Sequence, residues 1–308
     1  MRQAGRYMPS YQKLRQKYPL RDLFFTPDLA AEITQMPIQQ LGVDAAILFS
    51  DITVIAVALG FTLDFSEGPH ITPLLQTAEQ VDRLPILNVK EVLAPIGQTV
   101  ALAAGHEVPL IGFCGGPFTV ASYLIEKRTG NDLPLTKRWL YQDPSSFHRL
   151  LDKITTVSCD YLRMQVEKGA SVIQIFDSWA HVLTDEQFKT VCLPYWTKLL
   201  SCVSVPGIVF GRGNCFRVEQ IGSCKPSAIS VDWSLPIASL REKTPLPLQG
   251  NLDPDLLFAP IEIVRKTTQQ LLHSMQGDRG FIVNLGHGIK PGTPMDAVRC
   301  LVDTVKGL

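Results

Sequence analysis

Residues 143–178 read DPSSFHRLLDKITTVSCDYLRMQVEKGASVIQIFDS. Asp143-Pro144 opens a long helix, because proline at the first helical position gives up an N–H that would be unpaired there anyway. Gly169 stops it. Val172–Phe176 is then a continuous apolar run, the pattern of a strand buried on both faces. Polar Asp177-Ser178 stands at its end. One helix, one buried strand and one polar strand end make the unit from which the fold is read.

The unit recurs in both directions. Strands are expected at Ala45–Phe49, Val108–Phe113, Gly207–Phe210, Ala228–Val231, Leu246–Gln249 and Phe281–Leu285. Helices are expected between them. Thr26-Pro27 opens one that Gly42 ends, and Thr184 with Gln187 forms a capping box. Pro260 opens another that Gly277 ends, and Thr293-Pro294 opens the last, with Asp296 at its third position. Leu63–Pro73, containing Phe65-Ser66-Glu67-Gly68-Pro69, predicts a hairpin inserted after one strand. Alternating strands and helices imply parallel strands joined by right-handed crossovers. An open doubly wound sheet is disfavoured, since no Gly-rich dinucleotide fingerprint follows the early strands. The pattern predicts a (β/α)8 TIM-type barrel as a single domain, residues 1–308. Seven strands are legible, with Met1-Arg2 as the stub of another, so most of the first strand is expected to be missing.

Composition narrows the function. The 308 residues hold 29 basic and 29 acidic side chains and are 45% hydrophobic. Such a chain is neither disordered nor surrounded by the basic field that attracts nucleic acid. Seven scattered cysteines without a CxxC pair predict reduced thiols and a cytoplasmic location. Gly115-Gly116-Pro117 interrupts the uncharged run Val108–Ile125, which therefore reads as strand, loop and helix and not as a membrane span. Arg2 and Arg6 are followed by Met8-Pro9-Ser10, which does not read as a secretory leader. The first 21 residues carry six basic side chains and no acid, a local surface for an anion.

Barrel active sites lie at the carboxyl ends of the strands. There the sequence places Ser50-Asp51, Gly115-Gly116-Pro117, Asp177-Ser178, Gly211-Arg212-Gly213, Asp232-Trp233, Gly250-Asn251-Leu252-Asp253 and Gly286-His287-Gly288, with Arg2 and Arg6 joining them if Arg2 ends a strand. No cluster supplies three metal ligands, and there is no phosphate loop or nucleophile elbow. Lys290 alone could form a Schiff base. Arginines, one carboxylate, a histidine between glycines and hydroxyls suit an acidic organic substrate and proton-transfer chemistry. Asp51 also reads as a cap for the loop after its strand.

These residues resemble the uroporphyrinogen decarboxylase family. Arg2-Gln3-Ala4-Gly5-Arg6-Tyr7-Met8-Pro9 is similar to its opening signature, and Gly115-Gly116-Pro117-Phe118-Thr119 to a second one. Ala46–Ile52, Lys137–Leu140, Gln249–Pro254 and Asn284–Ile289 follow in family order, so the resemblance runs from residue 1 to about residue 292. It implies a cytoplasmic homodimer that needs no metal or organic cofactor. The activity implied is decarboxylation of the four acetate arms of uroporphyrinogen III to methyls. Arg2 and Arg6 match carboxylate-binding positions, and guanidinium forks suit carboxylates. Gln3, Ala4 and Gly5 line the same loop by their backbone. Asp51 matches the carboxylate that faces the pyrrole NH groups, while Tyr123, Ser178 and His287 match substrate contacts. The resemblance thus makes Asp51, Arg2 and Arg6 the catalytic set. It leaves the proton donor between an arginine and a bound water, and Phe49 and Phe118 between macrocycle and core.

The sequence departs from the family twice. Members carry a few dozen residues before the Arg-Gln-Ala-Gly-Arg segment, so a chain starting at Met1 is expected to express less well than one extended upstream. His181 stands where the family has glycine after Asp177-Ser178-Trp179-Ala180. The rival readings are a zinc-dependent corrinoid methyltransferase on the same barrel and an inactive tetrapyrrole-binding barrel. For the former, Cys114 and Cys215 lie near strand ends, without a His-x-Cys.

Overall fold

A computed structural model of the protein describes residues 7–66, 68–105, 108–127 and 132–307. Arg2, Gln3, Ala4, Gly5 and Arg6 lie outside the described residues, as does Glu67 at the hairpin turn. Among these residues nine strands follow in chain order. They are β1 (Ala46–Ile47), β2 (Thr62–Asp64), β3 (His70–Thr72), β4 (Leu110–Gly115), β5 (Val172–Phe176), β6 (Gly207–Phe210), β7 (Ala228–Ser230), β8 (Leu248–Leu252) and β9 (Phe281–Leu285). β2 and β3 form the expected antiparallel hairpin, Leu63 opposite Ile71. The other seven make one sheet in the order β1-β4-β5-β6-β7-β8-β9, every neighbouring pair parallel. The sheet curls so that the ends of β1 and β9 face one cleft, and helices cover its outside. This is the TIM-type α/β architecture that the strand–helix alternation predicts.

Helix boundaries follow the chemistry of their caps. The Asp143 side chain accepts from Ser146 N at 3.1 Å, opening helix Pro144–Glu167. Thr184 and Gln187 form the expected reciprocal box. Gly42 ends helix Pro27–Leu41 in the left-handed region, at φ 67°. The last helix starts at Met295 behind an N-cap Pro294, which puts Asp296 at the second position, not the third.

Strand limits shift where side chains replace the ladder. β1 is shorter than Ala45–Phe49 because Phe49 N donates to Thr34 Oγ1 of a helix, at 3.0 Å, and not to a strand. On β4, Ile111 O still accepts from Leu48 N at 3.0 Å. Phe113, two residues on, points its backbone the same way, beyond the reach of β1. Gln165 on helix Pro144–Glu167 fills that gap, accepting from Phe113 N at 2.8 Å and donating to its carbonyl at 3.0 Å. A Cβ at residue 112 would sit 2.6 Å from Gln165 Oε1, so Gly112 makes room for the clamp. β8 runs on to Leu252 because its ladder with β9 continues, Gly250, Asn251 and Leu252 standing opposite Val283, Asn284 and Leu285, while Asn251 Nδ2 donates to Asp232 O at 2.8 Å and Leu235 O at 2.7 Å.

Two cores hold the structure. The larger lies between the sheet and the helices around β4–β8. The smaller joins Tyr7, Met8 and Tyr11 to Ile33 and Met36 on one side and to Leu285 and Leu301 on the other. It therefore ties the β1 side of the sheet to the β9 side. No helix among the described residues is long and apolar enough to cross a membrane.

Candidate active site

The carboxyl ends of β1, β4, β5, β6 and β9 surround a cleft of about 550 Å3. Aromatic rings make much of its wall. Phe113, Phe176 and Phe210 run across β4, β5 and β6 with centroids 5.6 and 5.9 Å apart, and His287 packs edge-on against Phe210 at 5.7 Å. Phe49, Tyr123, Trp179 and Trp233 also line it.

Asp51 lines this cleft and is only 7% exposed. Its Oδ1 accepts from Thr53 N at 3.0 Å and Thr53 Oγ1 at 2.7 Å. The carboxylate thus caps its own loop, as the plainer reading had it. The same cap fixes the side chain against the cleft wall. Tyr123, Ser178 and His287, each half-buried, line the cleft with it. All four expected side chains among the described residues therefore converge, although they come from segments far apart in the chain.

Behind the wall, Asp177 is fully buried and organises the turn that carries Ser178 and Trp179. Its Oδ1 accepts from Thr119 N at 2.9 Å and Thr119 Oγ1 at 2.6 Å, and its Oδ2 accepts from Trp196 Nε1 at 2.9 Å. Thr119 Oγ1 in turn accepts from Trp179 N at 3.0 Å. Burial pushes the Asp177 carboxyl above the ordinary range, opposed by these donors. Gly116 is required here, because a Cβ would lie 2.2 Å from Asp177 Cγ.

Arg212 is a lining residue that the sequence placed at a strand end without giving it a role. It borders a second cavity of about 560 Å3, which also holds His181, Arg217 and Asp232. The His181 imidazole is pushed below its ordinary pKa, first by burial and then by Arg212 and Arg217, while Nδ1 meets the Ser178 carbonyl at 3.0 Å. Its ring faces this second cavity, beside the site and not in the cleft lining. Lys290 reaches the cleft rim as an ion pair with Asp255. Phe118 is fully buried against Phe147 and is core, whereas Phe49 lines the cleft.

The aromatic floor escaped sequence reading because each ring sits within an apolar run. On a strand buried on both faces, alternation does not reveal which side chains reach a cleft. No group of three or more His, Cys, Asp or Glu side chains among the described residues is placed to hold a metal. Cys215 Sγ donates to Asp232 Oδ1 at 3.5 Å, and burial with that carboxylate pushes its thiol up to about 12.

Curled parallel sheet, outer helices and a cleft at the carboxyl ends define a TIM-type barrel enzyme. The chain belongs to the uroporphyrinogen decarboxylase (URO-D) family, whose pattern it matches over residues 1–308. It is 44% identical to a uroporphyrinogen decarboxylase from Protochlamydia amoebophila, over 99% of this chain and 86% of that protein. It is 40% identical to one from Myxococcus xanthus, over 99% and 90%. The solved structure of a methyltransferase from Methanosarcina mazei shares the fold, with TM-score 0.80, 22% identity and coverage of 99% and 88%. That likeness concerns the fold alone.

Proposed function

We propose that the protein removes the four acetate carboxyls of uroporphyrinogen III as CO2, giving coproporphyrinogen III. The observation that carries this is Asp51, a buried carboxylate on the wall of a largely aromatic cleft, in a chain that matches the decarboxylase family throughout.

Losing CO2 from an acetate arm leaves an electron pair on carbon. Protonating the pyrrole first turns the ring into a cation that accepts the pair, a second protonation of the resulting methylene gives the methyl, and loss of the first proton from the ring restores the pyrrole. Each turn thus consumes one proton net and releases one CO2, so no outside electrons enter. Asp51 stabilises the cation and accepts hydrogen bonds from the pyrrole NH groups, an anion fixed in advance where positive charge develops. The same NH groups meet it in all four turns. The Phe rings pack on the apolar macrocycle. Tyr123, Ser178 and His287 take acetate and propionate groups, Arg212 adds a guanidinium, and Arg2 and Arg6 serve as further carboxylate clamps with the Gln3-Ala4-Gly5 backbone beside them.

Incubation with uroporphyrinogen III, followed by chromatography of the oxidised porphyrins, is expected to show stepwise loss of four carboxyls. Asp51→Asn keeps an oxygen for Thr53 and is expected to lower turnover roughly 100-fold or more. Near wild-type turnover in this variant would remove Asp51 from the mechanism.

We further propose a homodimer in the cytoplasm, following the family resemblance. Sedimentation at micromolar concentration and cell fractionation test these two statements.

A further inference from the structure

On the outside of the barrel, away from the cleft, helix Pro144–Glu167 packs against helix Leu193–Ser201. There Cys159 and Cys202 lie against each other across the helix pair. Cys202 Sγ lies 3.0 Å from Leu199 O and 3.9 Å from the Cys159 carbonyl, and Cys159 Sγ lies 3.9 Å from Lys198 O. The pair is not sealed in. Cys159 is 9% exposed, at the wall of a surface cavity of about 220 Å3 that it shares with Asp152, Thr155, Thr156, Arg163 and Lys198. Cys202 is half-buried. Arg163 Nε donates to Cys202 O at 3.2 Å, and its guanidinium also pairs with Asp160. Lys198 pairs with Asp152 at 2.6 Å.

We propose that Cys159 and Cys202 form a dithiol modification site, which takes a small-molecule disulfide such as oxidised glutathione and closes to an internal disulfide.

The two thiols are not equivalent. Cys159 shares its cavity with the cations Arg163 and Lys198, and Cys202 does not line it. The adjoining Cys202 side chain and these two cations hold the Cys159 thiol below its ordinary pKa, while the Cys159 side chain and burial hold the Cys202 thiol above it. Cys159 is therefore the attacking thiolate and Cys202 the resolving thiol, the arrangement of an oxidation-sensitive pair. In the first step Cys159 Sγ attacks one sulfur of the oxidised glutathione. The glutathione S–S bond breaks, a mixed disulfide forms on Cys159, and one glutathione thiolate leaves. In the second step Cys202 loses its proton to water and attacks Cys159 Sγ, releasing the second glutathione thiolate. Two protein thiols are oxidised by two electrons, and one glutathione disulfide is reduced to two thiols. Cys114 and Cys192 stay out of the reaction because both are fully enclosed and burial pushes their thiols far up.

The test treats the reduced full-length protein with oxidised glutathione at neutral pH. Free thiols are then blocked with N-ethylmaleimide and disulfide-linked peptides are mapped by mass spectrometry. The expected result is loss of two of the seven thiols as one linkage, Cys159 to Cys202. Cys202→Ser is expected to stop at a single glutathione adduct on Cys159, and Cys159→Ser to leave Cys202 unmodified over the same time. Retention of all seven thiols in the wild type would overturn the proposal, as would linkages through Cys114 or Cys192. Adduct formation on Cys202 of the Cys159→Ser variant at the wild-type rate would overturn the assigned order. The wild-type linkage map stands independently of how well either variant folds.

Discussion

Thr119 is in contact with both halves of the wall behind the cleft. Its hydroxyl donates to buried Asp177 and accepts from Trp179 N. Thr119→Val keeps the shape and removes both bonds, leaving a buried carboxylate short of a donor and a backbone N–H without its acceptor. A loss of about 1–3 kcal/mol in urea unfolding is expected, together with lower turnover because Ser178 and Trp179 hang from that turn. Thr119→Ser is expected to recover most of both. At this scale the sequence was informative where a polar residue interrupts apolar surroundings at a strand end, as with Asp51, Ser178 and His287. It was silent on Phe113, Phe176 and Phe210, whose cleft role depends on the curl of the sheet and not on residue type. Arg212 stood among the strand-end residues, but nothing local distinguished a cleft arginine from a solvated one.

Elements were legible wherever a chemical stop or start sits in the chain. The Asp143 cap and the Thr184–Gln187 box were readable because their partners lie within three residues. The ends of β1 and β8 were not, because Thr34 and the β9 partners of Asn251 and Leu252 come from distant segments. The Asp143 cap has a pH signature. The hydrogen bonds from Ser146 hold its carboxyl below the ordinary value. A native pKa below the unfolded one contributes stability above the unfolded pKa, and that stability is lost as pH falls through the native pKa. Asp143→Ala is therefore expected to lower the urea midpoint at pH 7. The gap to wild type should narrow below about pH 4 and close once the native carboxyl is protonated. Urea titrations across that range measure it.

Across the whole molecule, the smaller core does what strand pairing does elsewhere. β1 and β9 are the sheet edges among the described residues, and side chains from residues 7–11 bridge their surroundings. Met8 has no exposed surface. Met8→Ala is expected to cost about 2–5 kcal/mol and to lower the thermal midpoint, whereas a change at exposed Phe258 should move it little. The barrel class was legible from strand–helix alternation. The bridging core was not, because it joins residues more than 280 positions apart, such as Met8 and Leu301. We propose that residues 1–308 form one domain, for which limited proteolysis should leave no stable fragment smaller than the barrel.

The cleft also carries its own optical reporter. Of the four tryptophans, Trp179 and Trp233 line it, while Trp196 is enclosed behind Asp177 and Trp139 bonds Ser146 elsewhere. An oxidised porphyrin absorbs where indole emits, so one seated in the cleft drains the excited state of the two nearest rings by energy transfer. Occupancy then becomes measurable by fluorescence without any turnover. Replacing Trp179 and Trp233 together by Phe is expected to weaken that quenching far more than replacing Trp139.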